Sequence, residues 1–220
     1  MHLLHSLYTF ITHIFFPPYC AQCKRFLKER RPFCNECWQQ VHPIASFPLK
    51  VTEKWTVSVF AVSAYRNPLK RLVLAKGWSD RVACHQLGQL IWEHTDLKNK
   101  QFDYLIPIPL HWRRFAWRGY NQAQEIATSI AQQSGAKTFP LLKRVKHTPF
   151  QSHCGGKEGR HKNVGEALQL DIAQKDQLVG KHLVLVDDVM TTGATLKAAA
   201  RELIKCRPAS ITAVVACRTI

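Results

Sequence analysis

The sequence predicts an α/β chain with a mainly parallel sheet flanked by helices and a small N-terminal cysteine module. Two observations predict the sheet. Short aliphatic runs alternate with segments of helical spacing: "FDYLIPIPL" precedes "YNQAQEIATSIAQQSG", and "KHLVLVDD" precedes "TLKAAARELIKC" and "SITAVVAC". That β-α-β rhythm joins parallel strands through covering helices, with ligands expected at the carboxyl ends of the strands. The third observation is the placing of four cysteines in two C-x-x-C pairs, ahead of the alternating region. With 220 residues the chain is long enough for one substantial domain and a small appendage. The expected division is residues 1–50 for an N-terminal helix and the cysteine module, and 51–220 for the α/β domain.

Each element follows from local pattern. "MHLLHSLYTFITHIFF" is apolar but interrupted by three histidines and two threonines. It is too short to span a bilayer, and it lacks a basic n-region and a small-residue cleavage site. The reading is a helix packed on the protein, with a membrane-surface alternative, no stable membrane insertion and a cytoplasmic location by default. "KWTVSVFAVSAY" reads as a strand. "PLKRLVLAKG" and "RVACHQLGQLIWEHT" read as helices around a turn at Gly77–Asp80. "FDYLIPIPL" is a buried parallel strand ending in prolines, and Gly135 is the expected C-cap of the helix that follows. "TFPLLKRV" reads as the next strand. Residues 146–165 show no sustained apolar period, and so long a segment inside a compact domain suggests a functional loop.

Composition narrows the partners. Lys and Arg total 31 against 15 Asp and Glu, for a formal charge of +16. Such a surface suits a polyanion or a phosphorylated substrate. Of the eight cysteines, Cys20, Cys23, Cys34 and Cys37 form "CAQC" and "CNEC", separated by ten residues. Paired knuckles supply four thiolates at the spacing a tetrahedral zinc needs. A disulfide or redox pair is the alternative, although a redox site needs one C-x-x-C and disulfides suit a cytosolic chain poorly.

The stretch "VLVDDVMTTGATL" holds the clearest chemistry. Adjacent carboxylates repel, and Asp is a poor strand residue, so a strand ending in Asp187 and Asp188 has no structural need for them. A simple N-cap would require only one Asp or Thr. The loop Thr191, Thr192, Gly193, Ala194 and Thr195 then leads into a helix, whose N-terminal N–H groups form a phosphate cradle. Acids for hydroxyls beside a cradle for phosphate describe a phosphorylated sugar. No G-x-x-x-x-G-K-[ST] or strand-linked G-x-G-x-x-G is present.

This stretch resembles the phosphoribosyl pyrophosphate (PRPP) motif of type I phosphoribosyltransferases. "IPIPLHWRRFAWRGYNQAQ", then "LKRVKHTPFQ" and "GRHKNV", resemble signatures of the ComF family of competence-associated, phosphoribosyltransferase-like proteins, whose members commonly carry two N-terminal C-x-x-C pairs. The resemblance spans nearly the whole chain. It implies that Asp187 and Asp188 hold ribose hydroxyls and that Thr191–Thr195 hold the 5′-phosphate. It also implies that the loop through Leu110 and His111 meets pyrophosphate, near Arg114, Arg118, Asn121 and Gln122. Residues 146–165 become a closing lid, with Arg144, Gln151, Arg160 and Asn163 at family-like positions. The glycine-rich "SHCGGKEGR" departs from the family's usual charged stretch. Plainer readings stand beside these: a solvated basic turn for Arg113 and Arg114, and helix capping for Asn121 and Gln122.

Two functions follow. One is PRPP-dependent, Mg²⁺-assisted transfer, a phosphoribosyltransferase (glycosyltransferase) activity serving natural competence and DNA uptake. The other is a single-stranded-DNA-handling protein using PRPP as a regulator, with other competence proteins as possible partners. Between residues 104 and 165 ten Lys or Arg face two acids. Trp112, Arg113, Arg114 and Trp117 combine the cations and flat rings of an unpaired-strand platform. Packing beneath the lid is the alternative for the aromatic residues.

Overall fold

The computed structural model describes residues 18–29, 31–75, 81–110, 115–116, 118–144, 168–170 and 172–219. The N-terminal helix, the turn at 77–80, the lid and His111, Trp112, Arg113, Arg114, Trp117, Gln151, Arg160 and Asn163 lie outside these residues. The described chain begins with the cysteine knuckles and a single helical turn, α1 (Asn35–Trp38). It continues through β1 (Phe47–Lys50), β2 (Thr56–Ala64), α2 (Leu69–Ala75) and α3 (Arg81–His94). A 3-10 turn, Asp96–Asn99, leads to β3 (Tyr104–Pro107), α4 (Gln122–Ser134) and β4 (Lys137–Thr138). Next come β5 (Leu142–Arg144), β6 (Leu168–Leu170) and a 3-10 segment, Ile172–Leu178. β7 (His182–Met190), α5 (Ala194–Ile204) and β8 (Ser210–Arg218) complete the order.

The main sheet has strand order β1-β2-β8-β7-β3-β4. Within it only the β1–β2 pair is antiparallel; the other four pairings are parallel. Alternate side chains of the central strands enter two separate cores, as the two-residue strand period requires. Leu105, Val184, Val186, Val214 and Ala216 pack beneath α2, α3 and α4. Ile106, Leu183, Leu185, Ala213 and Val215 pack beneath α5, together with Leu142 and Leu168 of the β5–β6 pair. Helices α3 and α4 approach closely at Gly88, where a Cβ would fall 2.5 Å from the Ser129 Cβ and 2.7 Å from the Ile126 carbonyl oxygen. Asn121 caps α4 by accepting the Ala123 N–H, and Gly135 closes it in the left-handed conformation.

The first core continues into the cysteine knuckles. Cys20, Leu27, Phe33, Cys34 and Cys37 belong to the same buried cluster as Leu69, Leu72 and Leu87. Full burial of side chains such as Leu27 and Phe33 contributes roughly 1.5–3 kcal/mol each, so this is an attachment of substance. The Arg71 guanidinium adds a 2.7 Å hydrogen bond to the Gln22 carbonyl.

Two expectations need correction. "TFPLLKRV" is not one strand: Lys137–Thr138 pairs with β3, whereas Leu142–Arg144 pairs antiparallel with β6. Pro140, with no N–H to offer a ladder, lies between them. β7 also runs past the acid pair to Met190, because β8 pairs with it as far as Met190↔Arg218. The acids are therefore the sixth and seventh of nine strand residues rather than the last two. No described helix is long and apolar enough to cross a membrane.

Candidate functional site

Adjacent parallel strands β3 and β7 create an opening where their following helices leave on opposite faces of the sheet. α4 packs into the first core and α5 into the second. A crevice therefore forms outside the carboxyl ends of these strands, the usual ligand position in an open α/β sheet. The two strand ends are held together by the Ile108 N–H, which donates to the Val186 carbonyl at 2.9 Å. Asp187 and Asp188 come next on β7, and both are half-buried. The Asp187 carboxylate accepts the Asp188 N–H at 2.9 Å. Burial lowers the Arg144 pKa, while the negative charge of Asp187 opposes that shift. This electrostatic coupling relates the strand entering the expected lid to the acid pair.

Thr191 and Thr192 are exposed, and Gly193 turns the chain into α5. Gly193 has φ +75°, and a Cβ there would lie 2.7 Å from Met190 Cε and 3.1 Å from Leu49 Cδ1. Both backbone conformation and space require glycine. Gly193 is also the N-cap, and no side chain caps the helix from that position. The first-turn amides thus combine with the positive end of an 11-residue helix in a setting suited to an anion. Ala194 and Thr195 begin that turn and are half-buried. The Ala194 N–H has a long contact of 3.4 Å with Thr192 Oγ1.

On the β3 side, Leu110 is half-buried. Asn121 donates through Nδ2 to the Ile108 carbonyl at 3.0 Å while its Oδ1 caps α4. Its observed role is to tie the loop after β3 to the helix. Gln122 is buried at 2% exposure, and its Nε2 has no hydrogen-bond partner among the described residues; the same holds for the buried Nε of Arg118. These atoms place unanswered donors beside the expected pyrophosphate loop. For Tyr120 of the same signature the packing reading holds: it is buried, and its hydroxyl lies 4.0 Å from the Cys84 sulfur.

The cysteine centre passes a test for zinc. The Sγ atoms of Cys20, Cys23, Cys34 and Cys37 all lie within 4.8 Å of one another. Cys23 and Cys34 are 3.8 Å apart, and all four are free thiols. A tetrahedron with Zn–S bonds of ~2.3 Å has sulfur–sulfur edges of ~3.8 Å, so the donor set fits zinc in type, number and scale. Burial raises the Cys20 pKa, but backbone hydrogen bonds from Cys23, Cys34 and Gln22, with help from the Cys23 side chain, bring it down to about 6. Cys37 is pushed upward by burial and by its three cysteine neighbours. Four thiolates so close together need a cation to balance them.

Comparison with known proteins agrees with both parts. Residues 11–48 match the family model described as a double zinc ribbon domain, and residues 124–220 match that of a phosphoribosyl transferase domain. The chain is 29% identical over 213 residues to DNA utilization protein YhgH of Salmonella typhimurium, covering 91% of this chain and 90% of that protein. It is 28% identical to competence protein F of Haemophilus influenzae, with 80% of each chain covered. Competence protein ComFC of Bacillus subtilis is 33% identical over 103 residues, or 46% of this chain and 38% of that one. The chain thus joins a cysteine centre of zinc geometry, matching a double zinc ribbon domain, to a sheet domain matching a phosphoribosyl transferase domain, and along most of its length it is similar to proteins named for DNA utilization and competence.

Proposed function

We propose that the carboxyl edge of β3 and β7 binds PRPP and that the protein acts in natural competence and DNA uptake. One observation carries this reading: the half-buried acid pair and the glycine-capped start of α5 meet at the strand pair where covering helices change faces. Asp187 and Asp188 accept the ribose hydroxyls. The amides around Gly193, with the hydroxyls of Thr191, Thr192 and Thr195, receive the 5′-phosphate. The loop through Leu110 and His111, with Arg114, Arg118 and Gln122 nearby, receives pyrophosphate. Mg²⁺ entering with PRPP would supply positive charge that assists departure of pyrophosphate.

This arrangement suits transfer at the anomeric carbon of ribose. The bond to pyrophosphate oxygen breaks with its electron pair leaving on pyrophosphate, and an acceptor lone pair forms the new bond. Positive groups around the leaving oxygen and carboxylates around the sugar favour that charge separation. Closure of residues 146–165, including Gln151, Arg160 and Asn163, would exclude water. Calorimetry with Mg²⁺-PRPP tests the binding step, and mass spectrometry for pyrophosphate and ribosylated products tests transfer. Failure of a folded protein to bind PRPP would overturn the reading.

A second reading has its own support: relatives named for DNA utilization and competence, and a charge of +16. In it, the protein handles single-stranded DNA in the cytoplasm and PRPP regulates that activity. Salt titration of oligonucleotide binding, with and without PRPP, tests it.

A further inference from the structure

At the opposite end of β3 from the acid pair, the protein has a cleft of about 550 Å³. Its volume lies within the roughly 300–1,000 Å³ common for small-ligand sites. Trp92 reaches it from the last turn of α3, while Phe102 and Tyr104 border it at the start of β3. These rings are half-buried, and Trp92 and Phe102 rest against the first core. Lys98, Lys100 and Lys137 are exposed around the same cleft. Three cations and three flat rings thus meet although their residues span 92–137 of the chain.

The local charge balance favours an anion. Asp103 is the acid in the lining, and its carboxylate is already engaged by the His182 N–H at 2.8 Å and Lys181 Nζ at 3.1 Å. Among the described residues, Lys98 makes only a 3.4 Å contact with the Glu93 carbonyl. The carboxyl end of α4 also borders the cleft, which by itself would disfavour an anion. Of its last four carbonyls, that of Ala131 accepts the Gly135 N–H, and against the helix end's partial charge of about half a unit stand the three full positive charges of Lys98, Lys100 and Lys137. The lysines therefore dominate the opening.

We propose that this amino-edge cleft binds single-stranded DNA. Lys98, Lys100 and Lys137 take successive phosphates, and the faces of Trp92 and Phe102 receive a base. Cations that track a backbone beside rings that stack without reading sequence are the combination an unpaired strand requires. An acidic peptide would satisfy the lysines but leave the ring faces without a partner. The proposal rests on the DNA-handling reading, yet it assigns the strand to a site separate from the carboxyl edge.

The test compares wild type, a Lys98→Ala/Lys100→Ala/Lys137→Ala variant and Asp187→Asn/Asp188→Asn by fluorescence anisotropy with a short labelled oligothymidylate. Measurements span a salt series on the full-length, zinc-loaded protein. The lysine variant should bind more weakly, with its log-log salt slope reduced by about 0.7 for each phosphate no longer neutralised. The acid-pair variant should retain wild-type affinity without PRPP. Unchanged melting of the lysine variant, whose altered side chains are exposed, separates weakened binding from unfolding. If wild type binds but the lysine variant keeps its affinity and slope, the cleft assignment is overturned and the DNA reading survives. If wild type binds no oligonucleotide at any salt, both fail. A lysine variant that no longer binds thymidine monophosphate, yet binds the oligonucleotide as wild type does, would make the cleft a mononucleotide site and overturn the strand assignment.

Discussion

Cys20, Cys34 and Cys37 are buried, with exposures of 0–5%, whereas Asp187 and Asp188 are half-buried and Thr191 and Thr192 are exposed. Both regions grow from compact motifs, but they present their groups differently. The sulfurs of Cys20, Cys34 and Cys37 lie in a core shared with α2 and α3, and exposed Cys23 completes the set from its edge. A metal held there is part of the folded structure. The acid pair and the Gly193 turn instead meet at a sheet edge, where an exchangeable ligand can enter. Burial of the donor atoms, more than motif compactness, therefore separates a structural centre from a ligand site.

The largest expected effect comes from breaking the cysteine side. Cys34→Ser should abolish stoichiometric zinc and lower the melting temperature strongly, because structural zinc binding contributes apparent energies of ~10–16 kcal/mol in small zinc domains. Since Leu27 and Phe33 share the first core, hydrogen exchange should also accelerate in α2 and α3. Metal analysis and exchange mass spectrometry check this. Zinc loss with unchanged protection in those helices would reduce the centre to an appendage.

The acid pair should behave in the opposite way, affecting binding rather than folding. Asp187→Asn/Asp188→Asn should weaken Mg²⁺-PRPP by ~1.5–3 kcal/mol for each charged hydrogen bond removed, with little change in melting. Calorimetry on the folded variant decides it, and wild-type affinity would falsify the assignment of these carboxylates to the ligand. Gly193→Ala should disturb both properties. Its left-handed backbone costs ~1–2 kcal/mol for an L-residue, before Met190 and Leu49 yield space. Chemical denaturation should report that destabilisation, and weakened PRPP binding should accompany it. An unchanged midpoint would mean that the turn relaxes freely.

A smaller, pH-dependent effect belongs to the amino edge. The His182 N–H chiefly holds the Asp103 pKa below the ordinary carboxylate value; burial opposes this and Lys181 assists it. The stabilisation is therefore present above the unfolded value of ~3.9 and is lost as pH falls through the lower folded value. Asp103→Asn should cost roughly 0.2–1 kcal/mol near neutrality, since the pair is partly exposed and screened, and the difference should vanish in strong acid. Melting curves across acidic pH measure it. A constant difference throughout would assign the effect to packing.

Several of these features were legible along the chain. The strands through Leu105, Leu185 and Val214 and the helices α3, α4 and α5 followed from apolar pattern, and Gly135 from its position after α4. β1, the β5–β6 pair and the two 3-10 segments were not apparent, being short and dependent on distant partners. Asn121 was visible as part of a signature, but its hydrogen bond to Ile108 was not. Local sequence names a residue; it does not show which backbone group it will face.

Spacing along the chain was enough to specify the paired cysteines, the Asp187–Asp188 dyad, the glycine turn before α5 and the α/β rhythm. These arise from backbone conformation and from interactions between chain neighbours. The order β1-β2-β8-β7-β3-β4, the shared core beneath the cysteine centre and the departure of α4 and α5 to opposite faces came from tertiary packing alone. Packing also brought Trp92, Lys100 and Lys137 to one cleft. Strand order and core sharing are settled by burying apolar surface between residues far apart in the chain, which no local spacing records.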